Sequence, residues 1–403
     1  MDKKYSNFSF YMPTEIVFGV DVELQVADYI KRYGGTKVLI VMDGGGFIKA
    51  SGLFDKVTDC LDAAGLPYEE LEGVQPNPNA SLVYKGLDKV RETGVDFVLA
   101  IGGGSTMDTA KAIAIGMVND GDFLDFFTHK RKPAKIGNVG AISTIAASGS
   151  ETSGSALIKD DMGSGFKGGF MNPAIRTKFA LLDPVLTYTV PKFQTACGAA
   201  DIFSHTFDTY LTDQTSYLAD QFCEGVMRTS GKFGPIALAK PDDYEARAEL
   251  LLNASFSHND VTRIGRSKLS ATTHFVEEAL SNVYHKTHGA GIALVMPACT
   301  QMALDRGVDT EERLAQLATN VFEVSPEAGT AREVAQEGID RMRAWLEGMG
   351  LPTTIREYAG VDSVSEETID EILSYVKCGD DGIFFGYGNV TRDDVRDMLE
   401  SIA

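Results

Sequence analysis

Two nearly continuous apolar runs, Val38-Leu39-Ile40-Val41-Met42 and Phe97-Val98-Leu99-Ala100-Ile101, constrain this chain more than any other feature in it. A strand with one wet face alternates polar and apolar residues. A strand that is apolar at every position has to be covered on both faces, as happens inside a parallel sheet. Helical periodicity separates the runs: a segment through Val26, Ile30 and Tyr33 ended by Gly34-Gly35, another around residues 53–64, and a third through Val83 and Val90. A short strand is expected before Pro76-Asn77-Pro78-Asn79, a helix through Thr109, Ile113 and Met117, and a further strand over residues 139–144. Strands alternating with helices predict a doubly wound, mostly parallel, Rossmann-like α/β domain. Ahead of it, residues 8–12 and 15–19 alternate at period two and predict a hairpin bent at Pro13.

The character changes after Leu182-Asp183-Pro184 and Val190-Pro191. Apolar positions then repeat at helical spacing, as over residues 271–280, 291–302, 313–324 and 333–349, the last closed by Gly350 and Pro352. Thr391 followed by Asp394 offers a capping box to a terminal helix. An α/β domain over residues 1–190 and an all-α domain over 191–403 are therefore expected, and 403 residues suffice for two cores. The glycine-rich stretch from Gly379 to Gly388 reads as ordinary irregular chain or as a loop over a pocket. The formal net charge of -20 disfavours nucleic acid and anionic membrane as partners. Five dispersed cysteines without a C-x-x-C fit a reducing compartment. With no apolar segment behind the first charges and no run of about 20 apolar residues, a cytoplasmic protein is expected.

Three polar turns follow the buried strands. Gly102-Gly103-Gly104-Ser105-Thr106-Met107-Asp108 lies between a strand and a helix, where glycines admit a ligand close to the backbone and the first helical N–H groups point outward. It is either a pyrophosphate seat or a tight turn capped by Ser105. Met42-Asp43-Gly44-Gly45-Gly46 places Asp43 to accept from a ribose hydroxyl, or leaves it as a common turn aspartate. Ala147-Ser148-Gly149-Ser150-Glu151-Thr152 is the third. Ligands of open α/β sheets bind at the carboxyl edge of the strands, so three such turns there carry more than any one.

In the helical half, Asp201 and His205 stand one helical turn apart on one face. His274 and His288 complete a plausible shell of one carboxylate oxygen and three imidazole nitrogens for a divalent transition metal such as zinc, iron, nickel or cobalt. Any one of these histidines alone reads as a satisfied core or surface residue; the set reads as a metal site. On one straight helix His274 and His288 would be about 21 Å apart. A break is therefore required between them, and Ser281-Asn282 is the expected place. Glu278 and His285 compete for membership of the set.

These segments together resemble the group III, iron-dependent alcohol dehydrogenases, and within them the butanol dehydrogenase-like branch. The similarity covers nearly the whole chain and rests on residues 13–19, 76–78, 102–111, 144–151, 182–184, 201–205 and 288–291. The resemblance implies a dehydroquinate synthase-like architecture with the active site in the cleft between its domains. It implies Asp201, His205, His274 and His288 as ligands of Fe2+, with Zn2+ or Ni2+ as the other candidates. Dinucleotide contacts are placed on Asp43, Asn77, Gly102, Gly103, Gly104, Ser105, Asp108, Thr144, Lys167 and Leu186. A homodimer or larger homo-oligomer is implied as well. Two departures stand out. Glu278 occupies the place of a histidine that in the family lies near substrate and nicotinamide, which makes it a candidate catalytic residue. The Asp43 carboxylate would repel a 2′-phosphate, and NAD is favoured over NADP.

The expected activity is hydride transfer between nicotinamide and a short- to medium-chain primary alcohol or its aldehyde. Alternatives are an NADP-preferring aldehyde reductase or polyol dehydrogenase, a non-redox enzyme like the dehydroquinate synthases, and a metal- and nucleotide-binding protein without turnover. The non-redox reading needs a basic cluster for a polyanion, and residues 201–288 hold few lysines and arginines.

Overall fold

The computed structural model describes residues 5–163, 167–212, 216–266, 272–307, 310–376 and 390–403. The stretch from Gly379 to Gly388 lies outside the described residues. The chain falls into two compact units. One comprises residues 11–189 with 254–259; the other comprises residues 190–253 and 260–403 with the N-terminal residues up to Phe10.

The first unit carries β1 (Glu15–Phe18), β2 (Val38–Asp43), β3 (Tyr68–Val74), β4 (Phe97–Gly102), β5 (Asn138–Ser143), β6 (Ser155–Lys159), β7 (Lys167–Met171) and β8 (Phe179–Leu182). Six of these form a sheet in the order β1-β8-β5-β4-β2-β3, parallel at every pairing. Alternation along the strands divides the apolar runs between two cores. Leu39, Val41, Val98 and Ala100 pack with Val83, Leu87 and Ile113 of the helices Ala80–Thr93 and Gly104–Gly116. Val38, Ile40, Phe97 and Leu99 pack with Val26, Ile30, Val57 and Leu61 of the helices Val26–Arg32 and Leu53–Ala63. Each such side chain, fully removed from water, contributes about 1.5–3 kcal/mol. This two-sided burial is why the strands read as unbroken apolar runs.

The sheet changes direction at β2. The chain passes from β2 outward to β3 and returns on the other side of β2 as β4. The carboxyl ends of β2 and β4 therefore flank a topological switch point, the usual ligand crevice of such sheets. β6 and β7 form a separate antiparallel pair that the sequence did not suggest.

The expected N-terminal hairpin is not formed. No strand precedes Glu15 among the described residues, and β1 pairs in parallel with β8, Glu15 opposite Phe179. Phe8, Phe10 and Tyr11 stay exposed. The alternation there reflects a segment leading to an edge strand whose partner lies far along the chain.

The second unit is helical. Its helices include Lys192–Tyr210, Tyr217–Ala239, Thr272–Tyr284, His288–Asp305, Glu311–Phe322, Ala331–Gly348 and Arg392–Ser401. Thr330 with Glu333, and Thr391 with Asp394, form full capping boxes. No helix among the described residues is long and apolar enough to cross a membrane.

The break between His274 and His288 falls at residues 285–287, not at Ser281-Asn282. The Ser281 hydroxyl donates to Glu277 Oε1 inside the helix, and the Ser281 carbonyl accepts from the His285 N–H at 3.0 Å, so the helix continues through Tyr284. It stops where His285 turns left-handed, with φ 53°.

Candidate metal centre and dinucleotide turns

The Lys192–Tyr210 helix packs against both Thr272–Tyr284 and His288–Asp305. Small residues permit the approach: a Cβ on Gly289 would overlap the Cys197 carbonyl, and one on Gly291 would lie 2.9 Å from Glu277 Oε1. One ligand atom from each of Asp201, His205 and His274 falls within 4.8 Å of the others. Ring centroids are 4.8 Å apart for His205 and His274, and 5.5 Å for His274 and His288.

Asp201 Oδ1 is the centre of this arrangement. His205 Nδ1 and His288 Nε2 each stand 3.5 Å from it. Ligand bonds of about 2.0–2.1 Å around a tetrahedral cation put neighbouring donor atoms about 3.4 Å apart. Asp201 is buried, and neither its Oδ1 nor His274 Nε2 has a hydrogen-bond partner. Buried polar atoms are rarely left so unless something absent from the polypeptide occupies the space. Burial, with the other two imidazoles adding to it, pushes the His205 pKa well below its usual range and keeps a lone pair available. An oxygen and three nitrogens fit a borderline divalent transition metal such as iron or zinc.

Two buried carboxylates that the sequence reading did not single out touch this cluster. Asp208 Oδ2 accepts from His274 Nδ1 at 2.7 Å, and Glu277 Oε2 accepts from His288 Nδ1. Both were traceable. Asp208 follows Asp201 and His205 at positions +7 and +3, the same helical face, and Glu277 lies one turn after His274. Glu278 is half-buried on the next position, and exposed His285 lies in the interhelical break.

In the α/β unit, the ends of β2, β4 and β5 lie level, with Met42 opposite Ile101 and Gly102 opposite Ser143. Thr144 N–H donates to the Gly102 carbonyl at 3.2 Å. The helix after β4 begins at Gly104 with Gly103 as its N-cap and no side-chain cap, so Ser105 does not cap it. Gly102 has φ 152°, and a Cβ there would lie 2.6 Å from the Thr106 hydroxyl. Asp43 Oδ1 accepts from Gly45 N–H at 2.8 Å and braces the turn. Asn77 is left-handed, with φ 58°, in the loop after β3. Leu186 sits in the turn Pro184–Thr187 after β8, against the Val38 and Leu99 core. Lys167 begins β7 opposite Lys159, in the separate two-stranded sheet. The Asp108 carboxylate has protein partners, Ser150 Oγ at 2.7 Å and Leu157 N–H at 3.0 Å, and burial pushes its pKa up. One turn on, buried Lys111 donates to the carbonyls of Ser150, Ser153 and Ser155 at 2.7–3.0 Å and ties the helix to the third polar turn.

A sequence model of the iron-containing alcohol dehydrogenases matches residues 13–184, and one of the C-terminal part of that family matches residues 195–403. The chain belongs to the iron-containing alcohol dehydrogenase family. Among its relatives in this family, an NADH-dependent butanol dehydrogenase A of Clostridium acetobutylicum is 38% identical over 352 residues, 87% of this chain and 89% of the relative. An NADPH-dependent aldehyde reductase of Escherichia coli is 32% identical over 365 residues, 89% and 91% of the two chains. The crystal structure of an NADH-dependent butanol dehydrogenase A of Thermotoga maritima superposes with a TM-score of 0.90 at 34% identity, covering 99% of both chains. As a member of this family the protein is an oxidoreductase with a dehydroquinate synthase-like fold.

Proposed function

We propose that the protein is an NADH-linked, iron-dependent alcohol dehydrogenase that works reversibly on short- to medium-chain primary alcohols and their aldehydes. The observation that carries this is Asp201 Oδ1, buried and without a hydrogen-bond partner, with two imidazole nitrogens at ligand spacing around it. Asp201, His205, His274 and His288 would hold the divalent ion, while Asp43, Asn77, residues 102–105, Thr144, Lys167 and Leu186 would line the dinucleotide. When bound, the ion polarises the alcohol or carbonyl oxygen and the nicotinamide carries the hydride. The chain's own part is alignment. Asp201 brings the ligand set its negative charge, and the burial of His205 Nδ1 that keeps the ring neutral also keeps bulk water from competing at that nitrogen. Glu278, where the resembled family has histidine, is proposed to face the substrate and to modify its choice.

Apo-protein reloaded with Fe2+, Zn2+ or Ni2+ should oxidise NADH with butanal, and removal of metal by a chelator should abolish that reaction. Absence of nicotinamide-linked turnover across an alcohol, aldehyde and polyol panel with each metal restored rejects the proposal.

The preference for NADH rests on Asp43 at the carboxyl end of β2, beside the switch point. A 2′-phosphate about 4 Å from a part-exposed carboxylate would meet 1–4 kcal/mol of repulsion. Asp43→Ser is therefore expected to improve kcat/KM for NADPH about 10- to 100-fold while leaving that for NADH within a few-fold. An unchanged cofactor ratio would remove Asp43 from the argument.

A cytoplasmic homo-oligomer is also proposed. β1 is an edge strand, which proteins rarely leave uncovered, and Phe8, Phe10 and Tyr11 just before it are exposed. Light scattering should return at least twice the 43.5 kDa chain mass; a monomer at micromolar concentration rejects this part.

A further inference from the structure

We infer that Asp208 and Glu277 are positioning residues for the metal: each accepts a hydrogen bond from the Nδ1–H of one ligating histidine and so turns that ring's Nε2 toward the ion. The inference rests on reading Asp201, His205, His274 and His288 as the ligand set.

The geometry is the same in two independent pairs. Asp208 Oδ2 lies 2.7 Å from His274 Nδ1 and also 3.4 Å from the His274 backbone N–H, so one oxygen fixes both ring and backbone. Glu277 Oε2 meets His288 Nδ1, while its Oε1 is held by the Ser281 hydroxyl. An ionised carboxylate only accepts, so the proton of each pair sits on Nδ1 and the lone pair on Nε2. In both cases Nε2 is the atom turned to the cluster. His274 Nε2 is buried with no hydrogen-bond partner, and His288 Nε2 stands 3.5 Å from Asp201 Oδ1. Carboxylates that brace metal-bound imidazoles in this way fix the tautomer and raise ligand basicity.

Burial of the carboxylates argues that they serve something charged. The Glu277 side chain is 0% exposed and that of Asp208 7%. Glycine at position 291 leaves the space that Glu277 fills. Placing two such groups beside Asp201 is costly in the absence of a cation, since each buried charge needs compensation. A divalent ion supplies it, and the carboxylates in return hold the ion more tightly. Histidine–carboxylate pairs that only stabilised the helix packing would have no reason to leave the buried Nε2 of His274 unsatisfied.

The test uses the full-length protein stripped of metal, with Co2+ and Zn2+ affinities read by competition against a chromophoric chelator and the Co2+ absorption spectrum recorded. Asp208→Ala and Glu277→Ala should each weaken metal binding about 10- to 100-fold and shift the Co2+ bands. Asp208→Asn and Glu277→Gln, whose amide oxygens still accept from Nδ1, should lose less than the alanine variants. Wild-type affinity and spectrum in both alanine variants would overturn the inference. If an alanine variant does not fold, its amide counterpart decides: weaker binding than wild type supports the inference and equal binding overturns it. Asp201→Ala separates this from the underlying reading. Loss of metal there with full retention in the position 208 and 277 variants sinks the positioning role alone, whereas wild-type affinity in Asp201→Ala sinks the metal site itself.

Discussion

Asp201→Ala should lower kcat/KM for butanal reduction by at least about 10³-fold, because Lewis-acid stabilisation is worth several kcal/mol and each 1.36 kcal/mol is tenfold in rate. Asp201 is the sharpest place to strike. It brings the only carboxylate of the proposed four ligands, and its Oδ1 has imidazole nitrogens of two different helices 3.5 Å away. Removing it takes away the one anionic donor and leaves three neutral imidazoles to bind a dication. His205→Ala should fall short of that loss, since an oxygen and two nitrogens remain. The measurement is kcat/KM alongside metal content of the same preparation. A variant keeping a tenth of wild-type turnover with a full metal complement would refute the placement of the reaction at these side chains.

The largest structural effect is expected at Asp220. Its Oδ1 accepts from Arg266 Nη2 and, at 2.6 Å, from Arg313 Nη2, and its Oδ2 accepts from Arg313 Nη1 at 2.7 Å. The side chains are 0% exposed for Arg266, 5% for Asp220 and 8% for Arg313. Arg313 also lies over the Tyr210 ring, 3.5 Å from its centroid. Truncating Asp220 strands two buried guanidinium groups, and breaking a buried pair by removing one partner costs about 3–5 kcal/mol. Asp220→Ala should lose that much in urea unfolding followed by circular dichroism, and Asp220→Asn, which keeps an acceptor, should lose less. The contrast is Arg341→Ala on the half-exposed Glu337 pair, worth about 0.5 kcal/mol or less. If the two alanine variants proved equally mild, the buried network would not be what locks these helices together.

What could be read from the sequence follows physical lines. β2 and β4 were legible because burial on both faces leaves no polar residue to interrupt them. β8 was not: it is four residues long, and its pairing with β1 joins segments whose separation leaves no local trace. β7 was hidden by Gly168 and Gly169, which weaken any strand signal, and β6 has no partner strand but β7 among the described residues. The proposed ligand pair Asp201 and His205 stood out through spacing alone. The helix break was misplaced because Ser281 and Asn282 resemble terminators by composition. In the fold Ser281 satisfies its hydroxyl on Glu277, and the chain turns instead at a left-handed histidine, a conformation uncommon for any residue but glycine. Asp208 and Glu277 escaped notice for a related reason: a carboxylate on a helix is first read as solvated, and only the partner helix reveals it as buried.

The pairing of β1 with β8 also sets a schedule for the growing chain. The hydrogen-bond partner of residues 15–18 is made roughly 160 residues after them, a delay of about 8–30 s at ordinary translation rates. Throughout that interval β1 and the exposed aromatics just before it have no strand to join. It is the stretch of the nascent polypeptide where chaperone capture or a synonymous-codon pause should change the yield of native protein most.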